Sequence, residues 1–187
     1  AARFGLIPDI IVLGKGLPGG YYPLSAVASK REIVDTLYKN GKSFLHAQTF
    51  SHHPVGCAAG VATLDYIKKR RLVERCARVG KDLLRETARF LSHPHVGDVR
   101  GKGLLIGVEF VKDKKSKKAF LRKQKYVENF MAKAMDEGLV FWWNTGQADG
   151  HNGDLIILAP PYIIGEKEIS LILERMTAVL SKMAKMF

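Results

Sequence analysis

Cysteine is nearly missing from this chain: Cys57 and Cys76 are the only two in 187 residues. Both fall inside amphipathic helical patterns, which argues against a disulfide scaffold and against a cysteine zinc site. No metal is assigned, and a reducing compartment, the cytoplasm, is expected. Long hydrophobic runs are missing as well. The longest apolar stretches, residues 10–13, 104–106 and 155–159, fall far short of the roughly 20 residues that a membrane-spanning helix needs, so no membrane partner is expected. No secretory leader opens the chain; Ala1 and Ala2 ahead of Arg3 and Phe4 read as the middle of a polypeptide. Acidic residues are scarce beside basic ones, 18 against 30, for a net charge of +12. Clustered cations suit nucleic acid, because they neutralise phosphates and release counterions. The excess here lies in residues 68–71 and 112–125, at element ends and on helix faces where long basic side chains are solvated, and no aromatic stacking platform stands between the two runs. The reading is therefore no nucleic acid, with an acidic partner segment as the better match for the charge.

What is present is the composition of a globular protein, 47% hydrophobic. Residues 8–13 form a short β-rich run ending at Gly14, and residues 24–28 form a second; both read as buried strands. The connection Gly14-Lys15-Gly16-Leu17-Pro18-Gly19-Gly20-Tyr21-Tyr22-Pro23 is a conformationally special turn that displays Lys15 between them. Ser29, with Glu32 three residues on, predicts a capping box and a helix to about Tyr38. Pro54 opens a helix whose small residues Cys57, Ala58, Val61 and Ala62 lie close to a sheet. Leu72, Cys76, Val79, Leu83 and Phe90 recur at helical spacing, predicting one long amphipathic helix between two lobes. Strands follow over 96–100 and 104–111 around a Gly101-Lys102-Gly103 turn. A helix marked by Phe120, Val127, Phe130, Met131 and Ala134 is closed by Gly138. Strands over 139–142 and 155–158 flank a polar loop, and a last helix carries Ile169, Ile172, Leu173, Met176, Val179, Leu180 and Met183 on one face. The chain is divided near residue 75, into residues 1–75 and an α+β lobe of residues 76–187.

The strings PDIIVLGKGLPGGYYPLSAV, QTFSHHPVGCAAG, VRGKGLLIGVEF and LIILAPPYII, in that order, resemble the class III pyridoxal-phosphate-dependent aminotransferases: ω-amino acid:pyruvate, ornithine, 4-aminobutyrate and related enzymes. The resemblance covers nearly the whole chain. It implies an α/β fold of type I, with residues 1–75 as the end of the large cofactor-binding domain and residues 76–187 as the small C-terminal domain. It implies that Lys15, in the GKG position, forms the internal aldimine with pyridoxal 5'-phosphate. Chemistry agrees: an amine attacks an aldehyde only when uncharged, and a water-poor site near other positive charge disfavours its charged form. A lysine released by the incoming substrate amine then moves a proton as general base and acid. Thr49, of the TF motif, would contact the cofactor phosphate of the neighbouring subunit in a homodimer. A hydroxyl donor suits an acceptor-only phosphate. His52 and His53 receive no role beyond surface or capping.

Two departures from the pattern matter. Many amino acid:pyruvate members place an arginine in the loop that matches DGHNGDLIILAPP, yet no arginine lies between Arg122 and Arg175; Gly150, His151 and Asn152 occupy the region. The family's phosphate turn, stacking aromatic and ring-nitrogen acid precede the lysine segment, and none is matched here. Asp9 is read as capping the strand entry, and the 187 residues alone are expected not to bind the cofactor productively. Tyr21, Tyr22, Trp142 and Trp143 are candidate apolar walls. The expected reaction moves an amino group from an amine or ω-amino acid to a keto acid such as pyruvate. An aminomutase or decarboxylase on the same scaffold, and a non-catalytic basic fragment, are the alternatives. A nucleotide P-loop is excluded because Lys15 precedes most of the glycines.

Overall fold

In a computed structural model, residues 4–187 are described; the Ala1–Arg3 opening lies outside the described residues. The chain divides into two compact units between Arg70 and Arg71.

In the first unit, β1 (Ile10–Leu13) and β2 (Ala26–Ser29) form a two-stranded antiparallel ribbon, with Ile10 opposite Ser29 and Leu13 opposite Ala26. The ribbon differs from the buried strands expected from composition. Ile10 is 53% exposed and Val12 76%, because among the described residues of the unit nothing covers them. Asp9 closes the open end: its carboxylate pairs with Lys30 at 2.5 Å and its carbonyl accepts from the Lys30 amide. Helix α1 (Arg31–Lys39) follows, and its N-cap is Lys30 without any side-chain cap. Ser29 does not cap it, because its backbone is already committed to the ladder with Ile10. Helix α2 (Pro54–Lys69) starts at Pro54 as expected. Its buried positions are Gly56 and Gly60, while Val61 and Leu64 face solvent, so the close approach runs through glycines and not through the other small residues.

The second unit has a conventional core. The antiparallel sheet runs in the order β3-β4-β6-β5, with β3 at Val96–Lys102, β4 at Leu105–Phe110, β5 at Trp142–Thr145 and β6 at Asp154–Leu158. Strand alternation sends Ile106, Val108 and Phe110 of β4, and Ile156 and Leu158 of β6, to one face. Helices α4 (Tyr126–Asp136) and α5 (Glu166–Ala184) supply the matching residues: Val127, Phe130 and Ala134 from the first, Met176, Val179 and Met183 from the second. Each of these side chains larger than alanine contributes about 1.5–3 kcal/mol when fully buried. Tyr126 and Phe120 stack at 4.1 Å between ring centroids, so Phe120 belongs to this core although it precedes α4.

Several boundaries moved. Helix α3 (Leu72–Thr87) gives way to a 3-10 turn at Ala88–Ser92, so the long helix is two pieces, and it lies wholly in the second unit. The β3–β4 hairpin turns at Gly103, with φ +59°, and β5 begins at Trp142, three residues later than the expected run. The lysine-rich stretch is not simply solvated. Lys114 donates to the carbonyls of Leu91 and His93, and Lys117 to that of Gly97, tying the loop to the start of β3.

Two stability predictions follow from this unit. A Cβ on Gly80 of α3 would overlap the backbone of Gly103 in the hairpin turn. Gly80→Ala should therefore lower the urea-unfolding stability by about 1–3 kcal/mol, overriding the alanine helix preference of about 1 kcal/mol. His93 joins β3 to α5: its Nε2–H donates to the Leu180 carbonyl at 3.0 Å and its Nδ1 accepts the His95 amide. Burial lowers its pKa below the ordinary 6.5, against the raising effect of the Leu180 hydrogen bond. The unfolded chain therefore takes up the proton first, and stability that is whole above pH 6.5 declines as pH falls through the window below it. Urea midpoints at pH 7.5 and 5.5 should differ more for the natural protein than for His93→Asn.

Candidate active site

Lys15 stands at the head of a tight series of turns. The Leu17 amide donates to the Gly14 carbonyl at 3.2 Å, Gly19 to Gly16 at 3.0 Å and Tyr21 to Pro18 at 3.2 Å. Lys15 itself is exposed and not enclosed in the water-poor site expected of it, because the strands that flank its turn are uncovered. It has φ +50°, the left-handed region that L side chains avoid. Holding a lysine there costs on the order of 1–2 kcal/mol, which the ribbon and the turn bonds offset. Such outliers gather at functional sites, where the surroundings over-determine the backbone.

Beside Lys15 is an open hollow of about 430 Å3, lined by Lys15, Pro23, Leu24 and Ser25. The segment that leaves the turn lies on α2. Tyr22 rests on Gly56 and Leu24 on Gly60, while Gly19 approaches Thr63. His53 stacks on Tyr22, with centroids 5.0 Å apart and planes within 17°, and its Nδ1 is buried with no partner among the described residues. His53 is the N-cap residue of α2 yet makes no side-chain cap bond, so its ring face and not its nitrogen does the holding. His52 is exposed with φ +59°.

Thr49 lies on the turn ahead of α2, where Ser51 donates its amide to the Gln48 carbonyl at 2.9 Å. It is exposed and does not line the hollow of Lys15. Tyr21 is 89% exposed and does not line the hollow of Lys15. In the second unit, Trp142 borders a separate apolar hollow of about 880 Å3 with Ile157, Pro160, Pro161 and Ile163. Trp143 lies opposite Ile156 on the next register position of β5.

The arginine-free loop between β5 and β6 is organised by a residue that sequence reasoning passed over. Asp149 Oδ1 accepts the amides of His151 at 2.9 Å and Asn152 at 2.6 Å, and its Oδ2 accepts the Asn152 side chain at 2.8 Å. Asn152 in turn accepts the Arg122 amide through its side-chain oxygen. The Asn152 side chain first, then the Asn152 and His151 amides, hold the Asp149 carboxyl down at about 2. His151 is thus an exposed tip on a self-capped loop. The signal was there: aspartate two and three residues ahead of amides that need acceptors is an Asx turn. The Gly56/Gly60 pair was equally visible as two glycines four apart on one helix face.

Comparisons with known proteins agree with one another. A sequence profile described as aminotransferase class III matches residues 1–180. An uncharacterised aminotransferase of Bacillus subtilis is 38% identical over 92% of this chain, and an adenosylmethionine-8-amino-7-oxononanoate aminotransferase of Methanocaldococcus jannaschii is 34% identical over 87%. The chain spans 38% of the first relative's length and 34% of the second's. Among solved structures, a thermostable (S)-enantioselective omega-transaminase from Thermomicrobium roseum superposes with a TM-score of 0.84 at 36% identity, covering 97% of this chain and 39% of that one. A Bacillus anthracis aminotransferase gives a TM-score of 0.86 at 34% identity, covering 97% and 40%.

Asp149 carries the prediction here. A carboxyl whose pKa is depressed by folding stabilises above its ordinary value of 3.8 and loses that effect as pH falls toward about 2. Hydrogen exchange should show the His151 and Asn152 amides protected at pH 5 and progressively less so below pH 3.8, and Asp149→Ala should remove that protection at either pH.

Proposed function

Because the chain belongs to the class III aminotransferases, we propose that Lys15 is the residue that holds pyridoxal 5'-phosphate covalently, and that the enzyme moves an amino group from an amine or ω-amino acid to a keto acid such as pyruvate. The observation that carries this reading is the lysine in the GKG string, held in a left-handed backbone conformation beside its own hollow. The described residues fit the cofactor in part. Lys15 offers the amine that an aldehyde carbon requires, Pro23, Leu24 and Ser25 form a wall, and Thr49 presents a hydroxyl suited to phosphate. No carboxylate lines the hollow to hold a ring nitrogen protonated, so residues 1–187 alone are proposed not to bind the cofactor productively.

When bound, the cofactor supplies the electron sink for bond breaking at the amine-bearing carbon. The chain's part is orientation and proton handling. Lys15 Nζ would serve as the base that takes the proton from the substrate carbon and then as the acid that returns it. The Tyr22 and Leu24 contacts with α2 keep that nitrogen's turn fixed while it does so. No arginine stands in the 144–153 loop, so carboxylate recognition is not assigned to it.

The chain spans only about two fifths of its solved relatives, so the activity, substrates and partners of the whole protein belong to the proposal. Residues 1–75 are read as the end of the large domain and residues 76–187 as the small domain; the division between Arg70 and Arg71 supports this. The partner is a second copy of the chain, whose cofactor phosphate Thr49 contacts. Both cysteines are free thiols, which supports a cytoplasmic setting.

The test is borohydride reduction of the cofactor-loaded enzyme followed by mass spectrometry. The fixed adduct is expected on the Lys15 peptide, and Lys15→Ala should lose the adduct and at least about 10²-fold in transamination rate. An adduct on another lysine, or a Lys15→Ala enzyme of undiminished rate, would overturn the assignment.

A further inference from the structure

The face of α2 that meets the lysine turn lacks side chains at two positions one helical turn apart. A Cβ on Gly56 would stand 2.8 Å from Cδ1 of Tyr22, and a Cβ on Gly60 would stand 2.8 Å from Cδ2 of Leu24. Carbon atoms in good contact sit about 3.5–4.0 Å apart, so both places exist only because the helix carries no side chain there. Helix propensity favours alanine at such interior positions. Gly56 and Gly60 are nevertheless the two buried residues of α2. Their value is in what rests on them.

The two contacts are not equivalent. Tyr22 is also stacked on His53, the N-cap residue of α2, whereas Leu24 is also a wall of the hollow beside Lys15. Whatever moves Leu24 off α2 therefore changes the space available to the lysine amine. We propose that Gly60 is a positioning residue for Lys15: by carrying no side chain, it lets Leu24 sink onto α2 and so sets the width of the lysine's hollow. This rests on the reading of Lys15 as the cofactor-bearing residue. A methyl at position 60 displaces the end of the Leu24 side chain by about 1 Å to restore contact distance. The far end of a leucine gives way more readily than backbone, so the relief goes into the hollow while the fold is kept. Displacements of that size at a reacting group cost up to about 10²-fold in rate.

The experiment compares the natural enzyme, Gly60→Ala, Leu24→Val and the double variant. In the cofactor-free protein, the rate of Lys15 methylation by formaldehyde and cyanoborohydride is read by mass spectrometry against exposed Lys39. In the loaded enzyme, the absorbance band of the bound cofactor and the split between kcat and KM are read. Gly60→Ala should keep or raise the melting temperature, slow Lys15 methylation several-fold, shift the band and lower kcat with KM little changed. Leu24→Val alone should speed methylation, and the double variant should return near the natural values. Natural Lys15 reactivity and band in a folded Gly60→Ala protein would sink the proposal, as would a change that Leu24→Val does not reverse. Should Gly60→Ala fail to fold, Leu24→Val decides: unaltered Lys15 reactivity overturns the role given to this contact. If the natural loaded enzyme shows no adduct on Lys15, the cofactor reading fails, while the methylation rates still decide whether Gly60 governs access to Lys15.

Discussion

A lysine backbone in the left-handed region is not self-supporting, and the first unit is arranged around that fact. The φ of +50° at Lys15 would relax in a free peptide. It persists because both ends of the turn are pinned: by the β1–β2 ribbon with its Asp9–Lys30 clamp on one side, and by the descent of Tyr22 and Leu24 onto α2 on the other. The glycines around Lys15 make the turn sterically possible, and those on α2 make it definite. What these remote contacts hold is the backbone of the turn; the lysine it carries is exposed, and a fixed backbone lowers the ordering cost of any later encounter at that residue.

The two units solve opposite problems. The second buries a set of aromatic and aliphatic side chains between one sheet face and helices α3, α4 and α5, and fixes its peripheral loops by backbone-directed bonds. Arg75 donates to the carbonyls of Tyr162 and Ile164, and Asp149 gathers the amides of its own loop. The first unit leaves Ile10, Val12, Val27, Phe44 and Leu45 open to solvent, and its buried atoms are concentrated where the turn meets α2. Its order is therefore local and geometric, while that of the second unit is hydrophobic and collective.

What the sequence reveals depends on which kind of order is involved. Pro54 as a helix start, Gly138 as a helix stop and the apolar face of α5 are local signals, and they stand where the pattern puts them. The lysine turn was legible for the same reason, since glycine and proline punctuate a chain whatever surrounds it. Strand β5 was not. Its register is set by pairing with β6, Trp142 opposite Ile157 and Trp143 opposite Ile156, and the buried Leu139 and Phe141 ahead of it imitate the start of a strand. The exposure of β1 and β2 was equally beyond reach. A β-branched, apolar run declares its conformation and not what covers it. The fixed φ of Lys15 and the capping by Asp149 are properties of neighbours in space that one-dimensional patterns only hint at.

The sheet of the second unit ends, on one side, at β5, and among the described residues no strand lies along the outer side of Trp142–Thr145. Amide and carbonyl groups there face outward next to Val140 and Trp142, both largely bare. Such a border is a template for sheet extension from molecule to molecule. A net charge of +12 works by repulsion against such strand-to-strand extension between like chains. Salt screens that repulsion within a Debye length of about 8 Å at physiological ionic strength. An unpaired border guarded in this way is guarded by charge, and charge is a barrier that dissolved salt lowers.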